Sequence, residues 1–268
     1  MLRTKTCLMV VVLMLGYSFT AFAGGVLRDD KTEDDWEILV TPFLFATSLE
    51  GSSTVGSTVG STVGTLTLDI DAPFSDLADN LDMAFSLHTE FHRGKWAFVI
   101  DPTYLELSAD ADIETIFANT KLEMEIKLWL IESWAAYKIN SNWEVIGGAR
   151  WQSQELSISG LRSPTRPTRP TLLTAKFDVK DNWLNWIAGV RFSYPLNEKW
   201  GIVGRADVAF AGDSDSSYNL QLFFNRKFGT NKALILGYRY FEDDYDNTPK
   251  YGWDMLQEGP MIGYTWSF

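Results

Sequence analysis

The sequence predicts an all-β fold: a transmembrane, antiparallel, up-and-down β-barrel of about ten strands, made by a chain that carries its own export segment. Three observations support this. The N-terminus reads as a signal peptide, apolar and polar residues alternate with period two over many short runs, and an alternating aromatic run occupies the end of the chain.

The first residues hold Arg3 and Lys5, then an apolar run from Leu8 to Leu15, then Ala21-Phe22-Ala23 ahead of Gly24. Basic, apolar and small-residue regions in that order make a secretory signal peptide, residues 1–23, cleaved after Ala23. The apolar run is too short to cross a bilayer as a helix, which takes about 20 residues. Cys7, the single cysteine, leaves with it, so the exported chain folds without disulfides. Loss of Arg3 and Lys5 moves the net charge from −12 to −14, which excludes nucleic acid as a partner. Residues 24–268 contain no hydrophilic linker long enough to divide them, so they are read as one barrel domain.

Alternation is clearest from Tyr218, where one face reads Tyr218, Leu220, Leu222, Phe224 and the other Asn219, Gln221, Phe223, Asn225. Leu184, Trp186, Ala188, Val190, Phe192, Tyr194 stand opposite Asn185 and Arg191, and the run from Trp200 to Phe210 stands opposite Arg205 and Asp207. Apolar-out and polar-in is the lipid-and-lumen pattern of a barrel, although a soluble β-sandwich also alternates, with its aromatic face on the core. The chain end separates the two. Ile262, Tyr264, Trp266 and Phe268 share one face, which resembles the C-terminal signature of outer-membrane barrel proteins that the barrel-insertion machinery reads. With the signal peptide, this places the protein in the outer membrane of a Gram-negative cell.

Turn signals set the strand count. Tight turns at Gly229-Thr230-Asn231, Asn197-Glu198-Lys199, Asn140-Ser141-Asn142 and Arg93-Gly94-Lys95 alternate with longer connections around 245–252, 212–217, 160–182, 110–119 and 50–81. Short periplasmic turns and long extracellular loops are the barrel rule. Ten strands follow, near 36–49, 82–93, 95–109, 120–138, 142–159, 183–194, 200–211, 217–228, 233–244 and 253–268, with eight or twelve as alternatives. Gly64 to Asp71 also alternates and would be an eleventh strand in need of a partner. Phase changes at Trp129 to Glu132 and at Glu106-Leu107 call for β-bulges to return the charge to the interior.

Two low-complexity segments fall in predicted extracellular loops: Gly51 to Gly64, with Ser-Thr-Val three times, and Pro164 to Thr171, a Pro-Thr-Arg repeat. Arg162, Arg166 and Arg169 are either contacts for lipopolysaccharide phosphates or decoration of a length-variable loop. Between them, 72–82 reads as a short helix with Ser75 as N-cap, lying across the barrel mouth or packed on its rim.

Trp36-Glu37, Thr41-Pro42-Phe43, Asp71-Ala72-Pro73-Phe74-Ser75-Asp76-Leu77, Asp79-Asn80-Leu81-Asp82, Gly237-Tyr238-Arg239-Tyr240 and the ending from Gly259-Pro260 to Phe268 carry a resemblance. Together they resemble an uncharacterised family of small Gram-negative (proteobacterial) outer-membrane β-barrel proteins. The resemblance implies fold and location and carries no catalytic residue across. The Ser-Thr-Val and Pro-Thr-Arg repeats depart from it.

Inward positions collect His88, Glu90, His92, Asp101, Glu144, Arg150, Arg191, Arg205, Asp207 and Arg239. In a narrow barrel these either pair as a salt-bridge network that fills the lumen or line a hydrated, charge-selective pore. Ser86, His88, Glu90 and His92 share one face, but two-residue steps of about 6.5 to 7 Å are too long for direct serine-to-histidine contact. No metal site, cofactor site, phosphate loop or nucleophile elbow is read. Trp36, Trp96, Trp143, Trp183 and Trp200 fall at predicted periplasmic strand ends as an interface girdle. The expected function is a non-enzymatic barrel of structural or surface-interaction type, or a narrow passive pore. An enzyme acting on lipid or lipopolysaccharide is the alternative. Expected partners are outer-membrane lipid, lipopolysaccharide and the insertion machinery.

Overall fold

The computed structural model describes residues 35–59, 62–115, 118–162 and 174–268. The signal peptide and the Pro-Thr-Arg repeat lie outside them. Twelve strand segments form one antiparallel sheet: β1 (Glu37–Phe45), β2 (Ser48–Val59), β3 (Thr62–Ala72), β4 (Leu81–Arg93), β5 (Trp96–Thr115), β6 (Ala118–Lys138), β7 (Trp143–Arg162), β8 (Thr174–Pro195), β9 (Trp200–Gly212), β10 (Ser216–Lys227), β11 (Lys232–Asn247) and β12 (Tyr251–Ser267). A short helix, α1 (Phe74–Asp79), lies between β3 and β4.

Among the described residues the ring contains ten strands, β1 and β4 to β12, each paired with its chain neighbour and closed where β1 meets β12. Closure is required, because hydrocarbon offers no water to an unpaired backbone amide. At the seam, Ile38 N–H donates to the Phe268 carbonyl and Phe268 N–H to the Ile38 carbonyl, at 3.3 and 3.0 Å. Two close cross-strand fits help the wall pack: the Phe192 ring covers Gly204, and the Phe223 ring covers Gly237.

The outward face of the ring is an apolar belt. On β5 it runs over nine residues from Trp96 to Tyr104 before Glu106, matching the roughly 9–11 residues of a membrane-crossing strand. Phe98, Ile100, Trp186, Val190, Phe210, Leu220, Leu222, Leu236 and Ile262 are all exposed on it. A soluble fold would not leave such a continuous apolar surface uncovered. Trp36, Trp96, Trp143 and Trp200 mark its lower border.

Strands β5 to β8 are 20 to 22 residues long, about twice what the membrane needs, while β9 and β10 have 13 and 12. Above the membrane the ring therefore splits into two walls. One is β5 to β8. The other is β11, β12 and the β2–β3 hairpin, because β12 pairs with β1 below and with β2 above. Residues 64 to 71 are indeed a strand, within β3, but its partner is β2 and the hairpin stands above the ring, which keeps its ten strands. The 50–81 and 110–119 connections, expected as loops, are largely strand for the same reason.

The two walls close on an apolar core of Leu49, Val55, Leu156, Trp183, Tyr245, Tyr251, Trp253 and Met255, with Ile126, Leu128 and Val179 packed against it. Trp183 stacks on Tyr245 with ring centroids 4.4 Å apart and planes 7° apart. Polar staples join the walls: Asp181 accepts from Lys250, Asn247 and Tyr245 at 2.8, 2.9 and 3.2 Å, and Tyr251 bonds Gln154.

This cap explains three differences from the sequence reading. β6 runs without register shift against both neighbours, so there is no bulge at Trp129 to Glu132; at Glu106-Leu107 a register shift is present, but in the pairing with β4, where the extra residue is Asp82 and β5 itself stays in phase with β6. Ile126, Leu128, Glu132 and Trp134 share the inner face; what changes with height is the polarity of the lumen, apolar in the cap and charged in the membrane. Trp183 is a core residue of the cap, 1% exposed, and no part of the periplasmic girdle. Ser75 does not cap α1: Pro73 occupies that position and the Ser75 hydroxyl donates to Asp76. The helix sits on the rim beside β2 and β3, with Leu77 reaching the cap core.

The outer faces of the walls differ in charge. Across β5 to β8, Glu106, Lys127, Glu155 and Lys180 lie in one cross-strand row of alternating sign. On the other wall Asp244 stands opposite Asp254 and Glu50 opposite Asp71. Like charges directly opposed are destabilising. Replacing Asp254 by Asn is expected to raise the denaturation midpoint by the equivalent of about 0.2–1 kcal/mol at low salt, with the gain shrinking as salt is added. Trp183→Ala removes about 3–5 kcal/mol from the cap core; proteinase K added outside should then cut the β5 to β8 extension while heat-modifiable mobility of the ring persists.

Candidate functional site

Below the cap, the lumen is filled by side chains that the period-two geometry aims inward from nearly every strand. The ten charged positions singled out in the sequence all face the lumen, and they gather into two groups.

The upper group crosses the barrel. Glu132 on β6 receives Arg150 on β7 at 2.7 Å, Arg205 on β9 at 2.9 Å and Arg239 on β11 at 3.2 Å. Asp207 receives Arg150 at 2.6 Å and Arg205 at 2.8 Å. Asn219 donates to Asp207 and accepts from Arg239, and Ser217 accepts from Arg150. Arg150, Glu132, Arg239, Asp207 and Arg205 are 0, 1, 2, 3 and 4% exposed. The guanidiniums also lie over aromatic faces, Arg150 and Arg239 on Phe241 at 4.7 and 4.9 Å, Arg205 on Trp134 at 4.7 Å. One layer higher, Asp243 accepts from Trp183 Nε1 and Gln152 Nε2 at 2.8 and 2.9 Å, linking the charges to the cap.

The lower group lies toward the periplasmic end. Glu90 faces Arg191 at 2.7 Å, His88 at 2.8 Å and His92 at 2.6 Å. Arg191 also bonds Glu144, and His88 Nδ1 meets Asp101 at 3.1 Å. Both ring nitrogens of His88 therefore face carboxylates, and neither is turned to the Ser86 hydroxyl.

A cavity of about 120 Å³ separates this group from the opposite wall. Its roof includes Arg205 and Arg239, its polar side His88, Glu90, Asp101 and Arg191, and its apolar side Leu39, Phe43, Ile235 and Met261.

Sequence reasoning missed Glu132 as the hub, along with Gln152, Asn185, Ser217 and Asp243. The signal for Glu132 was present, because it lies in phase with Trp134 and Ala136, both buried. It was obscured by the apolar inward residues above it.

No protein-family model matches the chain. No curated protein matches it. Solved structures do match. The outer-membrane protease OmpT from Escherichia coli is 8% identical, with 91% of this chain and 100% of that one covered and a TM-score of 0.52. The translocator domain of the autotransporter NalP from Neisseria meningitidis is 13% identical over 90% of this chain and 91% of that one, with a TM-score of 0.48. Ail of Yersinia pestis, in complex with the heparin analogue sucrose octasulfate, is 9% identical over 88% and 99%, with a TM-score of 0.38. The likeness to OmpT is one of fold, and that fold, with the apolar belt, makes this chain an outer-membrane β-barrel of the Gram-negative type.

Removing one member of a buried ion group leaves its partners uncompensated, at about 3–5 kcal/mol. Glu132→Ala is expected to lower the urea midpoint accordingly, and Glu132→Ala with Arg205→Ala to lose less than the sum of the two single changes. Additive losses would show that the two residues act separately.

Proposed function

We propose that this outer-membrane β-barrel works as a sealed, non-catalytic protein of structural and surface-interaction type. Its belt would meet outer-membrane lipid, its extracellular cap would meet lipopolysaccharide or a surface partner, and the face formed by Ile262, Tyr264, Trp266 and Phe268 would be read by the insertion machinery. The observation that carries the reading is the dry ion cluster around Glu132, which occupies the lumen in the membrane region. A passive pore needs hydrated charges that an ion can approach and leave; these charges are spent on one another. The cap adds a second closure of apolar side chains above them.

The hydrolase alternative has little support from the lumen. A serine nucleophile needs a base within hydrogen-bond reach, and His88 is held between Glu90 and Asp101.

Planar-bilayer recording of the purified full-length barrel, with heat-modifiable mobility confirmed, tests the reading. A silent bilayer is expected. Discrete conductance steps from the unaltered protein would replace the sealed barrel with a pore.

A further inference from the structure

On the lipid-facing wall of the barrel, at its periplasmic border, we infer a binding site for the headgroup of an anionic phospholipid, built from Arg226 and Lys232 with Trp200, Phe228 and Trp266. The site deepens one part of the proposed function, the contact of the belt with outer-membrane lipid, and rests on that part alone.

The outward face of β10 runs through Leu220, Leu222 and Phe224, all exposed, and its next position is Arg226. On β11, Lys232 shares the outward face, because it pairs with Trp266, which is in phase with the exposed Ile262. A cation on the lipid face is costly in mid-membrane and tolerated at the interface, where headgroups meet it. Arg226 stands at that level, since it pairs with Trp200 of the girdle. It also pairs with Leu234, two residues from Lys232, so the two cations are diagonal cross-strand neighbours, about 7–8 Å apart at the backbone and able to reach one phosphate. The Arg226 guanidinium lies 5.0 Å from the centre of the Phe228 ring and 5.5 Å from that of Trp200, which holds it against the wall. Phe228 in turn faces Lys232, to whose carbonyl its N–H donates at 2.7 Å. Arg150, Arg191, Arg205 and Arg239 are spent on carboxylates inside the lumen, whereas among the described residues neither Arg226 nor Lys232 has a carboxylate partner.

Two asymmetries separate this patch from an ordinary aromatic girdle. Around the ring, the half formed by β5 to β8 carries Trp96, Tyr137, Trp143 and Tyr194 at the same border, while its Lys138 falls on the lumen phase with Trp134 and Ala136 and its Lys95 lies in a turn. Beyond the seam, Arg93 on β4 lies over Trp36 at 5.6 Å and continues the cation-on-aromatic pattern. Along the axis, the chain has a net charge of −12, and exposed acids such as Glu50, Asp71, Asp213, Asp215, Asp246 and Asp254 gather at the extracellular end. At the periplasmic border the exposed acidic side chains among the described residues are Asp35 and Glu198, with the terminal carboxylate of Phe268 beside them, against Arg93, Lys95, Lys199, Arg226 and Lys232. An anionic headgroup is therefore drawn to this end of the barrel.

The test is native mass spectrometry of the full-length barrel, released from detergent with phosphatidylglycerol or with phosphatidylcholine of the same chain length. Retention of phosphatidylglycerol is expected, with a preference of about tenfold or more, since each Lys or Arg at an anionic lipid surface is worth about fivefold. Arg226→Gln with Lys232→Gln should abolish the preference. Lys180→Gln, which removes an exposed cation from the cap, should leave it unchanged. Heat-modifiable mobility checks the fold of each variant, and Lys232→Gln alone, with a loss of about fivefold, decides the matter if the double variant does not fold. Equal retention of the two lipids, a preference that survives the double change, or an equal loss in Lys180→Gln would each overturn the site. The belt has its own readout: a barrel that is heat-modifiable in phosphatidylcholine nanodiscs and shows no preference loses the headgroup site and keeps its contact with lipid.

Discussion

Backbone hydrogen bonding in hydrocarbon is the constraint from which the rest of this structure follows. Every amide at membrane depth has to find its partner in another strand, so the sheet must close, and here it closes where β1 meets β12. Ten strands make a ring narrow enough for side chains from opposite walls to meet. Once they meet, inward charges have no water and must pair, which is the physical origin of the convergence of Arg150, Arg205 and Arg239 on Glu132.

The same ring obeys different rules above the membrane. There the outer face meets water, so Glu106, Lys127, Glu155 and Lys180 stand outside, and the space between the walls is filled by Trp183, Tyr245, Trp253 and Met255. Barrel and sandwich are thus successive parts of the same strands. β7 presents Arg150 to the ion cluster, then Gln152 and Gln154 to the bonds that join the walls, then Leu156 to the apolar core, at steps of two residues.

The proposed function follows this vertical order. The cap presents the outer surface, the ion cluster divides the lumen, and the cavity below it is left to the periplasmic side. On the proposed reading, a barrel built in this way suits contact at its surface better than passage through its lumen. Asp243 couples two of the layers, since it holds Trp183 of the cap and Gln152 of the wall while lying one step along β11 from Phe241, on which Arg150 and Arg239 rest.

Local pattern alone determined much of the fold. Period-two alternation, tight turns and terminal aromatics are properties of neighbouring residues, and they were sufficient for an antiparallel barrel of ten strands with His88, Arg150 and Asp207 turned inward. Tertiary structure decided what depends on height along the barrel axis. Whether an apolar residue on a strand faces lipid or a dry lumen depends on where the membrane ends, and a strand's own sequence does not mark that level. For this reason Trp183, which local pattern assigns to the girdle, is core, and Glu132, which local pattern sets out of phase, is the hub of the ion cluster. Which charges meet was likewise a tertiary decision, because Glu132 and Arg239 are 107 residues apart in the chain and become neighbours only when the ring closes.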